Sequence, residues 1–107
     1  MSNSLDLNEQ VQKYSAWIEL DLDALTENIT SIKLLLSRET VFIAVVKANA
    51  YGHGIQLLGP ALEEDSRVER FAVYTITEGV ELRSIGLKKP TLVMGPVDVK
   101  LANLAIE

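Results

Sequence analysis

Residues 41–54 read VFIAVVKANAYGHG, an apolar and largely β-branched run that stops at Lys47 and gives way to a loop containing Gly52 and Gly54. A continuous apolar run, in place of alternation, is what a strand covered on both faces requires, as in the interior of a parallel sheet. Lys47 then stands at the carboxyl end of that strand, where the loops of α/β folds surround a crevice. The same signature recurs at Phe71–Ile76 and, in shorter form, at Thr91–Met94. Helical patterns fill the intervals. Ile55, Leu58 and Leu62 face inward in the first, whose start Gly59-Pro60 should delay or kink. Thr77 is read as the cap of the second, with Glu78 in its first turn, Val80 and Ile85 inward and Gly86 at its C-terminal cap. After Gly95-Pro96 a last pattern, Val97, Leu101 and Leu104, runs to Glu107 without a stop signal. Strand and helix thus alternate three times, which predicts an α/β fold of parallel βα units. These belong either to a doubly wound sheet or to the start of a (β/α)₈ TIM-type barrel. Closing such a barrel takes about 250 residues, so these 107 residues are expected to be an incomplete one.

Upstream, Ile18, Leu20 and Leu22 alternate with Trp17, Glu19 and Asp21, so residues 15–22 are read as a half-buried N-terminal strand. Asp21 or Asp23 then caps a helix reaching about Ser37, with Leu22, Leu25, Ile29, Ile32 and Leu36 as its apolar stripe. Residues 23–107 form the partial barrel. Residues 1–14 read as a polar leader, either disordered or a helix docked elsewhere.

A formal net charge of -5 offers no basic footprint, which argues against nucleic-acid and anionic-membrane partners. There is no cysteine and a single histidine, His53, so no disulfide framework, thiolate metal site or imidazole cluster is expected. Nothing resembles an export signal, and the run from Val41 to Val46 is too short to span a bilayer. A cytoplasmic protein with small-molecule or protein partners is the expectation.

Lys47 has two readings. Partial desolvation penalises the charged amine and leaves a nucleophile able to form a Schiff base. Alternatively it is a solvated charge that ends an apolar strand and discourages aggregation. The loop adds a hydroxyl donor, Tyr51, and two glycines that let backbone approach an anion or adopt positive φ. Neither GxGxxG nor a P-loop is present. His53 fits a structural hydrogen-bonding role or a base and is assigned neither. Glu78, Glu81 and Arg83 read as a solvated helix face in preference to an acid–base set. Val45 shares strand parity with Lys47, and Leu92 with Met94; these groups either line one crevice or fill a core.

The segment AVVKANAYGHG at 44–54 resembles the pyridoxal-phosphate attachment signature of the alanine racemase family. WIELDLDAL at 17–25, FAVYTITE at 71–78 and PTLVMG at 90–95 are similar to the family's neighbouring segments, in the same order. LysAlaAsn is shared with fold-related amino-acid decarboxylases, and TyrGlyHisGly favours the racemase branch. The resemblance implies a cofactor, pyridoxal 5'-phosphate, with Lys47 as its Schiff-base lysine and one of two catalytic bases, and Tyr51 as a phosphate contact. It implies an isomerase that interconverts L- and D-alanine, a homodimer that feeds peptidoglycan precursor synthesis. By the same resemblance the second base, a partner-subunit tyrosine, lies outside this sequence, as do the arginine beside the pyridine nitrogen and the rest of the phosphate cup. The strand at 15–22 would join a separate β domain. These 107 residues alone are not expected to racemise. The alternatives are a non-catalytic pyridoxal-phosphate-binding barrel and a fold-related decarboxylase.

Overall fold

The computed structural model of the chain describes residues 15–106, so the polar leader at 1–14 lies outside the described residues. The first helix, α1, spans Leu22–Leu34. Asp21 is its cap, accepting the Ala24 N–H at 3.0 Å, while Asp23 occupies the first turn, where a carboxylate opposes the positive end of the helix dipole. The helix stops short of Ser37 because the Leu35 N–H bonds back to Ile32, tightening the final turn. Of the expected stripe, Ile29 is buried and Leu25 packs on the core, but Leu22 and Ile32 stay exposed.

The strand expected at 15–22 is not formed: residues 16–21 are neither helix nor ladder, and Leu22 already belongs to α1. A strand is stabilised by a paired neighbour, and no strand of the described residues runs beside this segment. Ile18 is consequently 73% exposed.

Three strands form one parallel sheet in the order β1 (Ile43–Val45), β2 (Arg70–Val73) and β3 (Thr91–Val93). Val45 faces Ala72 across the first ladder, and Ala72 faces Leu92 across the second. The strands are shorter than the apolar runs that predict them, although the Val46 N–H still reaches the Ala72 carbonyl at 2.9 Å. Three parallel strands in sequence order, each followed by a helix, are how a (β/α)₈ barrel opens.

The two faces of the sheet differ. Val46, Phe71 and Val73 are buried with Ile29, Ile55, Leu62, Leu82 and Leu87 in one core beneath the helices. On the other face Ile43, Val45 and Leu92 are exposed, with only the small Ala72, between two neighbours, buried. The expectation of a strand covered on both sides therefore holds for one side of this chain. In a barrel the helices lie outside and the opposite face lines the interior, so the uncovered face is the inner one.

Helix α2, Ile55–Glu64, begins directly after Gly54 without the delay expected from Gly59-Pro60. Pro60 sits inside the helix and forfeits one backbone bond. Gly59 is there for packing, since a Cβ would lie 2.7 Å from Leu87 Cδ1. Helix α3, Ile76–Ser84, is capped by Thr75, two residues before the expected Thr77. Val80, expected inward, is 42% exposed, whereas Ile85 packs on the core. Gly86 follows α3 with φ +91, the left-handed conformation anticipated for it. The chain ends in a 3₁₀ turn, Val99–Leu101, and helix α4, Ala102–Ile106, none of it buried.

Gly95, just after β3, carries a testable constraint. Its N–H donates to the Tyr74 carbonyl at 2.8 Å, and a Cβ there would stand 2.6 Å from that same oxygen. Because the obstacle is backbone, it cannot swing away. Gly95→Ala should lower unfolding stability by about 1–3 kcal/mol, read as a shifted denaturant midpoint.

Candidate functional site

Lys47 lies two residues beyond β1 and opens a five-residue turn, Lys47–Tyr51. Ala48, Asn49, Ala50 and Tyr51 all have φ between +52 and +56, a single turn of left-handed helix. Left-handed backbone costs non-glycine residues roughly 1–2 kcal/mol each, so the turn persists only because its surroundings over-determine it. Gly52 and Gly54, expected either to let backbone approach an anion or to adopt positive φ, do adopt it, at +85 and +99, and the left-handed run before them was not expected.

Several contacts hold the turn. The Ala50 N–H bonds to the Val46 carbonyl at 2.9 Å, the Gly54 N–H bonds to that of Asn49 at 3.0 Å, and the Ala50 methyl is buried. Asn49 Oδ1 accepts the first N–H of α2, from Ile55, at 2.9 Å. His53 Nδ1 lies 2.9 Å from the Ala50 carbonyl, within hydrogen-bond distance of the turn. On the other side, Glu78 Oε2 accepts the Ala48 N–H at 2.7 Å.

Glu78 is thus not a member of a solvated face. Its Oε1 takes the Tyr74 and Thr75 N–H groups at 2.8 and 2.9 Å, while the Thr75 hydroxyl accepts the Glu78 N–H at 3.1 Å, completing a capping box. The signal was present as Thr-x-x-Glu at 75–78, a pattern in which the fourth residue reaches back to the cap. Arg83 is likewise occupied, donating to the Leu87 and Lys89 carbonyls at 3.1 and 3.2 Å, and Glu81 alone of the three remains an exposed face residue.

Burial by itself would raise the Glu78 pKa, but the N–H groups of Thr75, Ala48 and Tyr74 together outweigh it and hold the carboxyl below its ordinary value. The hydrogen bonds to Arg67 do the same for Asp65 against a smaller burial effect. A carboxyl depressed in the folded state contributes stability that is present above its unfolded pKa and is lost as pH falls through its folded one. Unfolding stability should therefore hold steady at neutral pH and decline once pH drops below the ordinary carboxylate range. Glu78→Gln should flatten part of that decline in an acid series of denaturant melts.

The turn brings the two predicted site residues together, with Lys47 Nζ 5.9 Å from the centroid of the Tyr51 ring, close enough for a cation–π contact. Tyr51 is 60% exposed and Lys47 half-buried. Val45 and Leu92 flank Ala72 on the uncovered face of the sheet, outside the helix-covered core, and Lys47 follows Val45 by two residues. Among the described residues no group of His, Asp or Glu is placed to hold a metal ion, and no helix is long and apolar enough to cross a membrane.

Fold and site together define a class: a parallel βα barrel whose first strand presents a lysine at its carboxyl end. Residues 20–107 match the family model described as "Alanine racemase, N-terminal domain". The chain is 44% identical over 90 residues to the alanine racemase of Geobacillus stearothermophilus, covering 80% of this chain and 23% of that one. It is 42% identical over 81 residues to the alanine racemase of Nostoc sp., covering 75% and 20%. Among solved structures, the alanine racemase of Clostridium difficile 630 in complex with cycloserine superposes with a TM-score of 0.75 at 36% identity, over 82% of this chain and 24% of that one. That of E. faecalis gives 0.74 at 36% identity over 81% and 23%. This chain belongs to the alanine racemase family and corresponds to part of its N-terminal domain, spanning 23% of the length of the first of these relatives.

Proposed function

We propose that the chain carries the cofactor lysine of an amino-acid racemase that interconverts L- and D-alanine, with Lys47 as the residue that binds pyridoxal 5'-phosphate. The observation that supports this most is the Lys47 amine on the open end of β1, beside the Tyr51 ring and anchored by a strained left-handed turn. Strain of this kind concentrates where a side chain must be held for chemistry. A primary amine suits the cofactor's aldehyde, and the Tyr51 hydroxyl suits its phosphate, so the residues present fit the group.

When bound, pyridoxal phosphate supplies an electron sink that makes the α-proton of an amino acid acidic. Lys47 would hold it through Nζ, and the same amine, when free, would serve as the base that moves the α-proton on one face. Tyr51 donates to the phosphate. Val45, Ala72 and Leu92 would give the inner face of a closed barrel an apolar wall. A second base from a partner subunit, a homodimer, a cytoplasmic location and a β domain joined through residues 15–22 complete the reading. Residues 23–107 are then part of the barrel domain. Support for alanine as the substrate comes from relatives named alanine racemases, one of them solved with cycloserine.

The test uses a chain of the relatives' length incubated with pyridoxal phosphate and L-alanine. Accumulation of D-alanine without carbon dioxide is the expected result. Carbon dioxide without racemisation would move the protein to the decarboxylase branch, and cofactor uptake with neither product would leave a binding barrel.

A further inference from the structure

We infer that Glu78 is a positioning residue for Lys47, acting through the backbone of the left-handed turn; this rests on the reading of Lys47 as the cofactor lysine. Ala48 directly follows the lysine, and its N–H is the first donor of the turn. It is satisfied by a carboxylate oxygen from α3, 30 residues away, at 2.7 Å. The other oxygen of the same group grips the Tyr74 and Thr75 N–H groups at the carboxyl end of β2. One side chain thus ties the lysine turn to the end of the neighbouring strand and to the start of α3. The remaining hydrogen bonds of the turn run within residues 46–55. Glu78 is the one side chain from outside the segment that hydrogen-bonds the turn backbone among the described residues.

The chemistry asks for a carboxylate specifically. Both oxygens accept, and three N–H groups converge on them. Glutamine has one acceptor oxygen and an NH₂ in place of the other. With its oxygen turned to the Tyr74 and Thr75 pair it keeps two bonds and the helix cap, but it sets an NH₂ against the Ala48 N–H. Glu78→Gln therefore removes the turn contact while sparing most of the cap. Thr75→Ala does the reverse, deleting the hydroxyl that accepts the Glu78 N–H without touching Ala48.

The two substitutions separate positioning from plain stability in a protein of the relatives' length. In the apo protein, amide exchange at Ala48 and Gly52 should quicken about tenfold in Glu78→Gln, the effect of losing a charge-assisted hydrogen bond. In Thr75→Ala the amides of early α3 should quicken instead. With pyridoxal phosphate added, the rate of borohydride-fixed adduct formation on Lys47 should fall about tenfold or more in Glu78→Gln and stay near wild type in Thr75→Ala, because small displacements of a reacting group are costly. Turn exchange and adduct rate both unchanged in Glu78→Gln would overturn the inference, whatever happens to melting temperature. Should Glu78→Gln fail to fold, Glu78→Asp, which keeps the charge but falls short of Ala48 by one methylene, is held to the same criterion. A wild-type protein that forms no adduct on Lys47 would instead sink the cofactor reading, and the exchange data would still decide whether Glu78 holds the turn.

Discussion

Replacing Lys47 with alanine is expected to abolish racemisation in a chain of the relatives' length, by at least about 10³-fold, because it removes the covalent anchor and a general base together. The fold should tolerate the change. Lys47 is half-buried, makes no ion pair or side-chain hydrogen bond among the described residues, and holds its amine 5.9 Å from the centre of the Tyr51 ring. Denaturant midpoints for wild type and Lys47→Ala should agree within the ±0.5 kcal/mol or so typical of such surface changes. A variant that kept its activity would remove Lys47 from the chemistry. Activity lost together with cooperative unfolding would show that the lysine serves the fold.

The largest effect on stability is expected from Phe71→Ala. Phe71 is fully buried in the middle strand, flanked in register by Ala44 and Thr91, and lies in the single cluster that joins α1, α2 and α3. Its neighbours come from several elements and cannot all collapse into the space left behind. The cost should be about 3–5 kcal/mol, a large share of the 5–15 kcal/mol or so that separates folded from unfolded states in ordinary domains. Urea melts followed by circular dichroism would measure it. Leu34→Ala, at a position 81% exposed, is the contrasting case and should change little.

The elements from Val41 onward were legible because each strand is a short apolar run set between helical periodicities, and that alternation leaves few topologies. What the sequence could not supply was which face of those strands is covered. Ile43 and Val45 are as apolar as Val46, yet they lie on the side that receives no helix in this chain. Residues 15–22 are a related case: alternation records that a segment can pair, and no strand among the described residues runs beside this one. The caps were half readable. Asp21 was one of two candidates, and Thr75 was passed over for Thr77 although Thr75 and Glu78 have the capping-box spacing.

At the site, Lys47 and Tyr51 could be named from the loop they share. Their means of support could not. Of the four successive left-handed residues only Asn49 is of a type that tolerates the conformation; Ala48, Ala50 and Tyr51 carry no local sequence signal for it, because it is imposed by their surroundings. Glu78 and Asn49 read locally as a helix-face charge and a loop amide. Their roles appear only when the fold brings α3 against the turn and the turn against α2.

The central claim, that Lys47 is where this chain meets its cofactor, is tested most directly by peptide mapping. The protein at its relatives' length is mixed with pyridoxal phosphate, reduced with borohydride, digested and sequenced by mass spectrometry. The label is expected at a single position, Lys47. A label on Lys33, Lys88, Lys89 or Lys100 with Lys47 unmodified would contradict the claim.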